Sequence, residues 1–328
     1  VLQVKKKMKT IGIFCGGFSS EFEISIKSAS TILQHIPSSF SAYKIIASRE
    51  KWEVETEEGT AAFNLNDCSF IKGESKIILD AAIVYIHGDP GENGKIQAML
   101  DLHKIKYINS GPLASALSFD KWYCNQFLKS FNIPVAKSLF LTSKEQFTPT
   151  EIVENLGLPL FIKPSDSGSS YGISKVKVME DIPKALDFAF QEGGTIVIES
   201  FLDGIEVTCG VYRSSTGISA LPLTEIVSEN DFFDYDAKYN GKSNEITPAR
   251  VDDAITKEVQ SMAKDIYSIL QLRSIARVDF MLVNNKPYVI EVNTTPGFSA
   301  ASIVPQMLKV AAISLDDFWE DIISVELD

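Results

Sequence analysis

The densest chemistry in the chain lies in ARVDFMLVNNKPYVIEVNTTPG, residues 276–297. Two runs rich in β-branched and aromatic residues flank Asn284-Asn285-Lys286, a composition that predicts a hairpin. With the turn centred on Asn285, Asp279 lies opposite Glu291 and Arg277 opposite Asn293. A spacing of two within each strand sends all four side chains to one face. Val278, Phe280, Leu282, Ile290 and Val292 then fill the other face as core. Carboxylates facing each other across two strands sit ~5 Å apart. At an effective dielectric of ~20 they repel by roughly 3 kcal/mol. A cation or a proton between them relieves that cost. The oxygens of Asp, Glu and Asn suit Mg2+, which completes its shell with water and phosphate. The structural alternative is Arg277 neutralising one acid on a solvated sheet face. A slip of one residue would send the two acids to opposite faces.

A second stretch, PLFIKPSDSGSSYG (159–172), ends an apolar run in Lys163 and continues into a loop of Ser and Gly. Such a loop exposes backbone N–H donors and lets a ligand approach closely. A lysine beside it adds a charge-assisted contact. Lys163 with Ser167–Gly172, including Ser169 and Ser170, reads as a triphosphate clamp. Neither G-x-x-x-x-G-K-[ST] nor G-x-G-x-x-G is present, and a hairpin tip explains the loop equally well. Lysine, loop and acidic hairpin together fit a nucleoside triphosphate with Mg2+.

These residues need elements to hold them. The 328 residues suit two or three domains of ~100–150 residues. The net charge of −12 argues against a nucleic-acid binder and against docking on anionic lipid. The four cysteines, Cys15, Cys68, Cys124 and Cys209, show no metal spacing and no disulfide pattern. A reducing cytoplasm fits them. No run of ~20 apolar residues spans a membrane. Residues 1–8 read as an extension or leader.

KTIGIFCGG (9–17) predicts a buried strand entering a glycine turn, and a helix capped by Ser19 or Ser20 follows. Further strands at 43–47, 81–86 and 106–110 alternate with a helix at 95–104. That alternation predicts an α/β, doubly wound parallel sheet. Its ligand end should carry GGFSSE and HGDPGENG. Residues 111–133 read as a helical connector. Two smaller units follow, one with helices near 144–156 and 180–190, the other with a helix at 252–272 and a helical tail at 302–325. The domains are 1–110, 111–200 and 201–328, with functional sites between them.

GGFSSEFEIS, HGDPGENG, IKPSDSGSSYG, IESFLDGIE, FDYDAKY, ARVDF and IEVNTTPG occur in that order. In that order they resemble the D-alanine-D-alanine ligases of the ATP-grasp superfamily, from about residue 10 to the end. The resemblance implies an ATP-grasp fold: a doubly wound N-terminal domain, then two α+β domains that clasp ATP. It implies ATP-dependent joining of two D-alanines through an acyl phosphate, for peptidoglycan precursor synthesis. A ligase for D-lactate or another amino acid is the alternative. It also implies two Mg2+ ions, with Mn2+ as a substitute, a homodimer and a cytoplasmic location.

By matching motif, Lys121, Lys163, Ser169 and Ser170 hold phosphates, and Lys238 reaches the γ-phosphate. Glu199, Leu202 and Glu206 hold adenine and ribose. Asp279, Glu291 and Asn293 ligate the metal. Glu21 binds the ammonium of the first D-alanine, with His87 nearby. Arg277 and the Gly297 N–H stabilise the oxyanion, and Ser302 and Ile303 hold the second carboxylate. Tyr239, on a lid at 228–244, links to Ser169 and through it to Glu21. Ester-forming relatives carry Phe at the Tyr239 position, so Tyr favours an amide product. Two departures from the family pattern are Asn93 for Asp and Ser200 for Lys. A catalytically dead nucleotide-binding regulator is the reading from another class. Intact Arg277, Asp279, Glu291 and Asn293 speak against it.

Overall fold

The computed structural model describes residues 8–166, 171–228 and 243–327. The first unit contains β1 (Lys9–Gly16), β2 (Phe40–Ala47), β3 (Trp52–Thr56), β4 (Gly59–Ala62), β5 (Ser69–Lys72), β6 (Ser75–Ile78), β7 (Ala81–Val84) and β8 (Lys106–Ile108). Its main sheet has the order β4-β3-β2-β1-β7-β8. The four strands β2, β1, β7 and β8 are parallel. Strand β1 is buried from Thr10 to Gly16, as a central parallel strand covered on both faces must be.

Strands β3 and β4 add an antiparallel edge, and β5 and β6 form a separate hairpin. Neither was expected from the sequence. These strands are four or five residues long, β4 and β6 are mostly exposed, and β3 and β5 bury only one or two residues each, so none carries a buried apolar run to announce it.

At the ligand end of this sheet, Gly16 and Gly17 have φ of +87° and +107°. A Cβ on Gly16 would lie 2.7 Å from the Ala47 carbonyl oxygen, so the turn requires glycine. Ser25, inside helix Phe22–Gln34, accepts from the Gly16 N–H at 2.8 Å and donates to the Tyr85 carbonyl at 2.7 Å. The helix is thereby fixed over the strand ends. Its N-cap is Glu21 rather than the expected Ser19 or Ser20, because the Ser19 hydroxyl donates to the His87 carbonyl at 2.9 Å instead.

Residues 111–133 form two helices, Pro112–Phe119 and Lys121–Ser130, and extended Asp120 separates them. The central sheet contains β9 (Ser138–Leu141), β10 (Leu160–Pro164), β11 (Ser174–Val176) and β12 (Ile196–Ser200), in the order β11-β10-β12-β9, all antiparallel. Helices Pro149–Leu156 and Ile182–Glu192 close its own core around Ile152, Ile162 and Ile198. The first helix starts at a Thr148/Glu151 capping box, later than the expected residue 144.

The third sheet contains β13 (Ile205–Ser214), β14 (Gly217–Ala220), β15 (Thr224–Ser228), β16 (Ser243–Ile246), β17 (Ile275–Val283) and β18 (Lys286–Asn293). Its order is β16-β15-β13-β17-β18, with β14 on β13. Helix Asp253–Ile269 packs on this sheet, against the core around Val278 and Phe280. The C-terminal helices Ile303–Val310 and Leu315–Leu327 join it to the first sheet. One core contains Ile11 and Ile83 from the first unit with Phe298, Met307 and Trp319 from the last. Among the described residues, no helix is long and apolar enough to cross a membrane.

Candidate active site

The β17–β18 hairpin turns at Asn284 and Asn285, both with positive φ (+50° and +64°). That is the two-residue turn whose twist matches the strands, and Asn tolerates it. Pairing then runs Val283↔Lys286 to Phe280↔Val289. Beyond a bulge it resumes as Asp279↔Glu291, Val278↔Val292 and Arg277↔Asn293. A turn centred on Asn285 leads to the same pairing of the acids, but by a different route: a two-residue turn plus one inserted residue. The bulge corrects one expectation. Ile290 is half-buried and faces the cavity described below, while Val289 is 1% exposed and takes the core position.

Asp279 accepts bonds from three neighbouring side chains. Arg277 donates to both of its oxygens, Nε and Nη2 each at 2.8 Å. Asn293 Nδ2 donates at 3.0 Å, and Thr208 Oγ1 donates to Oδ1. Thr208 faces Asp279 across β13 and β17. The acids Asp279, Glu291 and Glu245 together hold the Arg277 guanidinium above its ordinary range, against the cost of burial. Glu245 in turn accepts from Gln306 Nε2 at 3.1 Å.

A cavity of about 420 Å³ opens between the central and third sheets. Lys121, Lys163, Glu199, Leu202, Glu206, Asp279 and Glu291 all line it, so seven of the residues singled out in the sequence share one space. Phe161, Phe201, Met281 and Ile290 add apolar walls suited to a flat base. Lys163 and Glu199 form an ion pair at 2.7 Å with only 8% of each side chain exposed. They come together because β10 and β12 pair antiparallel, Lys163 with Val197 and Phe161 with Glu199. Asn125 Nδ2 donates to Glu199 at 3.2 Å. Lys121 opens its helix and is 8% exposed. A helix N-terminus repels a cation, so this placement makes sense beside an anion.

The residues expected to bind the first substrate, Glu21 and His87, sit at the strand ends of the first sheet. Glu21 is half-buried at the start of its helix, and His87 is buried beyond β7. Burial lowers the His87 pKa, and Glu21 partly offsets this. Glu92 stands in the same group. Burial, with Glu21 and Glu291 nearby, pushes its carboxyl up to about 7, while the Gly88 N–H donates to it at 3.0 Å. Gly297 lies beside Ser302, where a Cβ on it would come 3.1 Å from Ser302 Oγ. Ser302 caps the helix that starts at Ile303.

Ser169, Ser170, Lys238 and Tyr239, and most of the expected lid, lie outside the described residues. Sequence reasoning missed Thr208, Asn125, Glu92, Glu225 and Glu245 as members of this environment. Glu225 lines the cavity and is held by Arg250 at 2.9 and 2.7 Å. Thr208 had a visible signal in the alternation of IEVTCG; the others depend on contacts distant in sequence.

Among the described residues, no three side chains of the His, Cys, Asp and Glu types cluster as metal ligands. The candidate set is two carboxylates and an amide, Asp279, Glu291 and Asn293. Its oxygen donors fit Mg2+. Asn293 bonds Asp279 through Nδ2, so Oδ1 is the atom it would offer to a metal.

The family model described as "D-ala D-ala ligase N-terminus" matches residues 10–110, and "D-ala D-ala ligase C-terminus" matches residues 127–324. The chain belongs to the D-alanine–D-alanine ligase family. It is 42% identical over 318 residues to a D-alanine–D-alanine ligase of Bacteroides fragilis, covering 96% of this chain and 98% of that one. It is 42% identical over 322 residues to the Flavobacterium johnsoniae ligase, covering 98% and 100%. Among solved structures, D-alanyl-alanine synthetase A from Vibrio cholerae superposes with a TM-score of 0.88 at 28% identity, covering 98% and 99% of the two chains. The VanG D-Ala:D-Ser ligase from Enterococcus faecalis superposes with a TM-score of 0.88 at 30% identity, covering 97% and 99%. The family has the ATP-grasp fold, and its members are ATP-dependent ligases.

Proposed function

We propose that this family member joins two D-alanines into D-alanyl-D-alanine at the expense of ATP, in the cytoplasm, to supply peptidoglycan precursors. The observation that carries the reading is the cavity between two sheets, where buried lysines face paired acids. Family membership supplies the reaction class. The proposed units are 1–110, 111–200 and 201–328, with residues 228–244 as the lid.

In this reading Phe161, Phe201, Leu202 and Met281 hold the base, and Glu199 and Glu206 hold adenine and ribose. Lys121, Lys163, Ser169, Ser170 and Lys238 hold the phosphates. Asp279, Glu291 and Asn293 would hold two Mg2+ ions, which neutralise phosphate charge when bound. Glu21 takes the ammonium of the first D-alanine, with His87 beside it. The carboxylate oxygen of that first D-alanine attacks the γ-phosphorus, the bond from phosphorus to the β,γ-bridging oxygen breaks, and the acyl phosphate and ADP form. The amine of the second D-alanine, held by Ser302 and Ile303, attacks the acyl carbon. Arg277 spends Nε and one Nη2 proton on Asp279. Its remaining donors, with the Gly297 N–H, suit the oxygen that becomes negative in the tetrahedral intermediate. Phosphate then leaves with the bonding electrons and takes up the proton that the amine nitrogen gives up, and the amide remains. Tyr239, with Ser169 and Glu21, ties the lid to the site.

The test is ADP release screened against D- and L-amino acids, D-serine and D-lactate, with the product identified by mass. ADP release dependent on D-alanine, with D-alanyl-D-alanine as product, supports the reading. ATP binding without amino-acid-dependent ADP release overturns it. The homodimer belongs to the same reading, and sedimentation equilibrium tests it.

A further inference from the structure

The segment Thr294–Phe298 carries Gly297, and buried groups of the first unit hold it. Tyr85 Oη donates to the Pro296 carbonyl oxygen at 2.8 Å. The Phe298 N–H donates to Ser28 Oγ at 3.1 Å. Asn109 Nδ2 donates to Thr295 Oγ1 at 2.9 Å and to the Val84 carbonyl at 2.8 Å. The His87 ring bonds to the Thr295 backbone and lies 3.4 Å from Ser28 Oγ. Ser28 and Tyr85 are 0% and 2% exposed.

The Pro296 carbonyl and the Gly297 N–H belong to one planar peptide unit. In a trans peptide they point in opposite directions. A donor fixed on the carbonyl therefore fixes the line along which the N–H points. It also polarises the peptide, which strengthens the N–H as a donor. The next peptide is pinned by Ser28 through the Phe298 N–H. Peptides on both sides of Gly297 Cα are thus held by the first unit, although Gly297 belongs to the last.

We propose that Tyr85 is a positioning residue for the ligation: its hydroxyl aims and polarises the Gly297 N–H through the Pro296–Gly297 peptide, with Ser28 holding the peptide that follows. This rests on the reading of the Gly297 N–H as an oxyanion donor. Burial keeps the Tyr85 hydroxyl protonated, raising its pKa well above the ordinary range, so it remains a donor at working pH. The first unit would then supply both the ammonium site for one substrate and the alignment of the group that stabilises the intermediate.

Tyr85→Phe removes the hydroxyl and keeps the ring, which sits against Phe298 and Trp319 at 6.0 and 6.3 Å. Full removal of an oxyanion donor costs about 10²–10³-fold in kcat. Misalignment should cost less, so kcat is expected to fall about tenfold with KM for ATP unchanged. Affinity for a phosphinate analogue of D-alanyl-D-alanine, a tetrahedral mimic, should fall by the same factor. Ser28→Ala should act in the same direction. A lower melting temperature with kcat and phosphinate affinity intact would make Tyr85 purely structural and overturn the proposal, while the oxyanion reading stood. A fall in kcat with phosphinate affinity intact would overturn the oxyanion reading of Gly297, and the proposal with it.

Discussion

Arg277 holds both carboxylate oxygens of Asp279 at 2.8 Å, and Glu291 faces Asp279 from the neighbouring strand. Neutralising Asp279 therefore also removes the bidentate partner of the buried Arg277 guanidinium.

Glu291→Gln should lower Mg2+-dependent turnover by at least about 10²-fold, with the denaturation midpoint nearly unchanged. Asp279→Asn should lose both turnover and stability, the latter by about 3 kcal/mol, because Arg277 is left buried without its partner. Urea unfolding and ADP release on the two variants check this. Near-normal turnover of Glu291→Gln at ordinary Mg2+ would remove it from the metal site.

The Lys163–Glu199 pair is almost fully buried. Lys163→Met should destabilise the fold by about 3 kcal/mol through the stranded carboxylate. Adding Glu199→Gln should recover most of that loss while ATP binding stays weak. A double-mutant cycle by denaturation, with nucleotide titration alongside, measures both. Additive stability changes would mean the pair is not coupled.

Glu92 sets a pH dependence in the metal-free enzyme. Its carboxyl is raised from 4.5 to about 7. Between those values the folded state keeps a proton that the unfolded chain has released, so stability falls as pH rises through the window. His87 opposes it: its pKa lies below 6.5, and that contribution is lost as pH falls below 6.5. Relative to Glu92→Gln, the native protein should lose on the order of 2 kcal/mol between about pH 5 and about pH 7.5, allowing for partial exposure. Denaturation curves at the two pH values measure the difference, and parallel profiles would contradict it.

The bulge in β18 makes neighbouring residues behave differently. Val289→Ala should cost about 2 kcal/mol, because Val289 lies in the core. Ile290→Ala should cost under about 1 kcal/mol in stability and raise KM for ATP several-fold, because Ile290 lines the cavity. Unfolding and steady-state kinetics separate the two. The reverse pattern would indicate a regular hairpin.

Much of the site was legible because it is local. Arg277, Asp279, Glu291 and Asn293 lie within a single hairpin, and a period of two assigns their face. Lys163 was legible for the same reason, as the polar end of an apolar strand. The antiparallel edge β3–β4 was not legible, since its strands are short and bury a single residue, Val54. The register at Asp279 was reached from the wrong turn, and Ile290 was misassigned to the core as a result. Whether a turn has two residues with a bulge or three without is decided by twist and packing, which local alternation does not encode.

By itself the sequence determined the residue types, their alternation along each strand and the order of the motifs. Those follow from bonds and periods short enough to read along the chain. Only the tertiary structure decided that Glu199 neutralises Lys163, that Thr208 bonds Asp279, and that Tyr85 reaches the carbonyl beside Gly297. These contacts join residues separated by tens to hundreds of positions, and packing of separate sheets sets their distances.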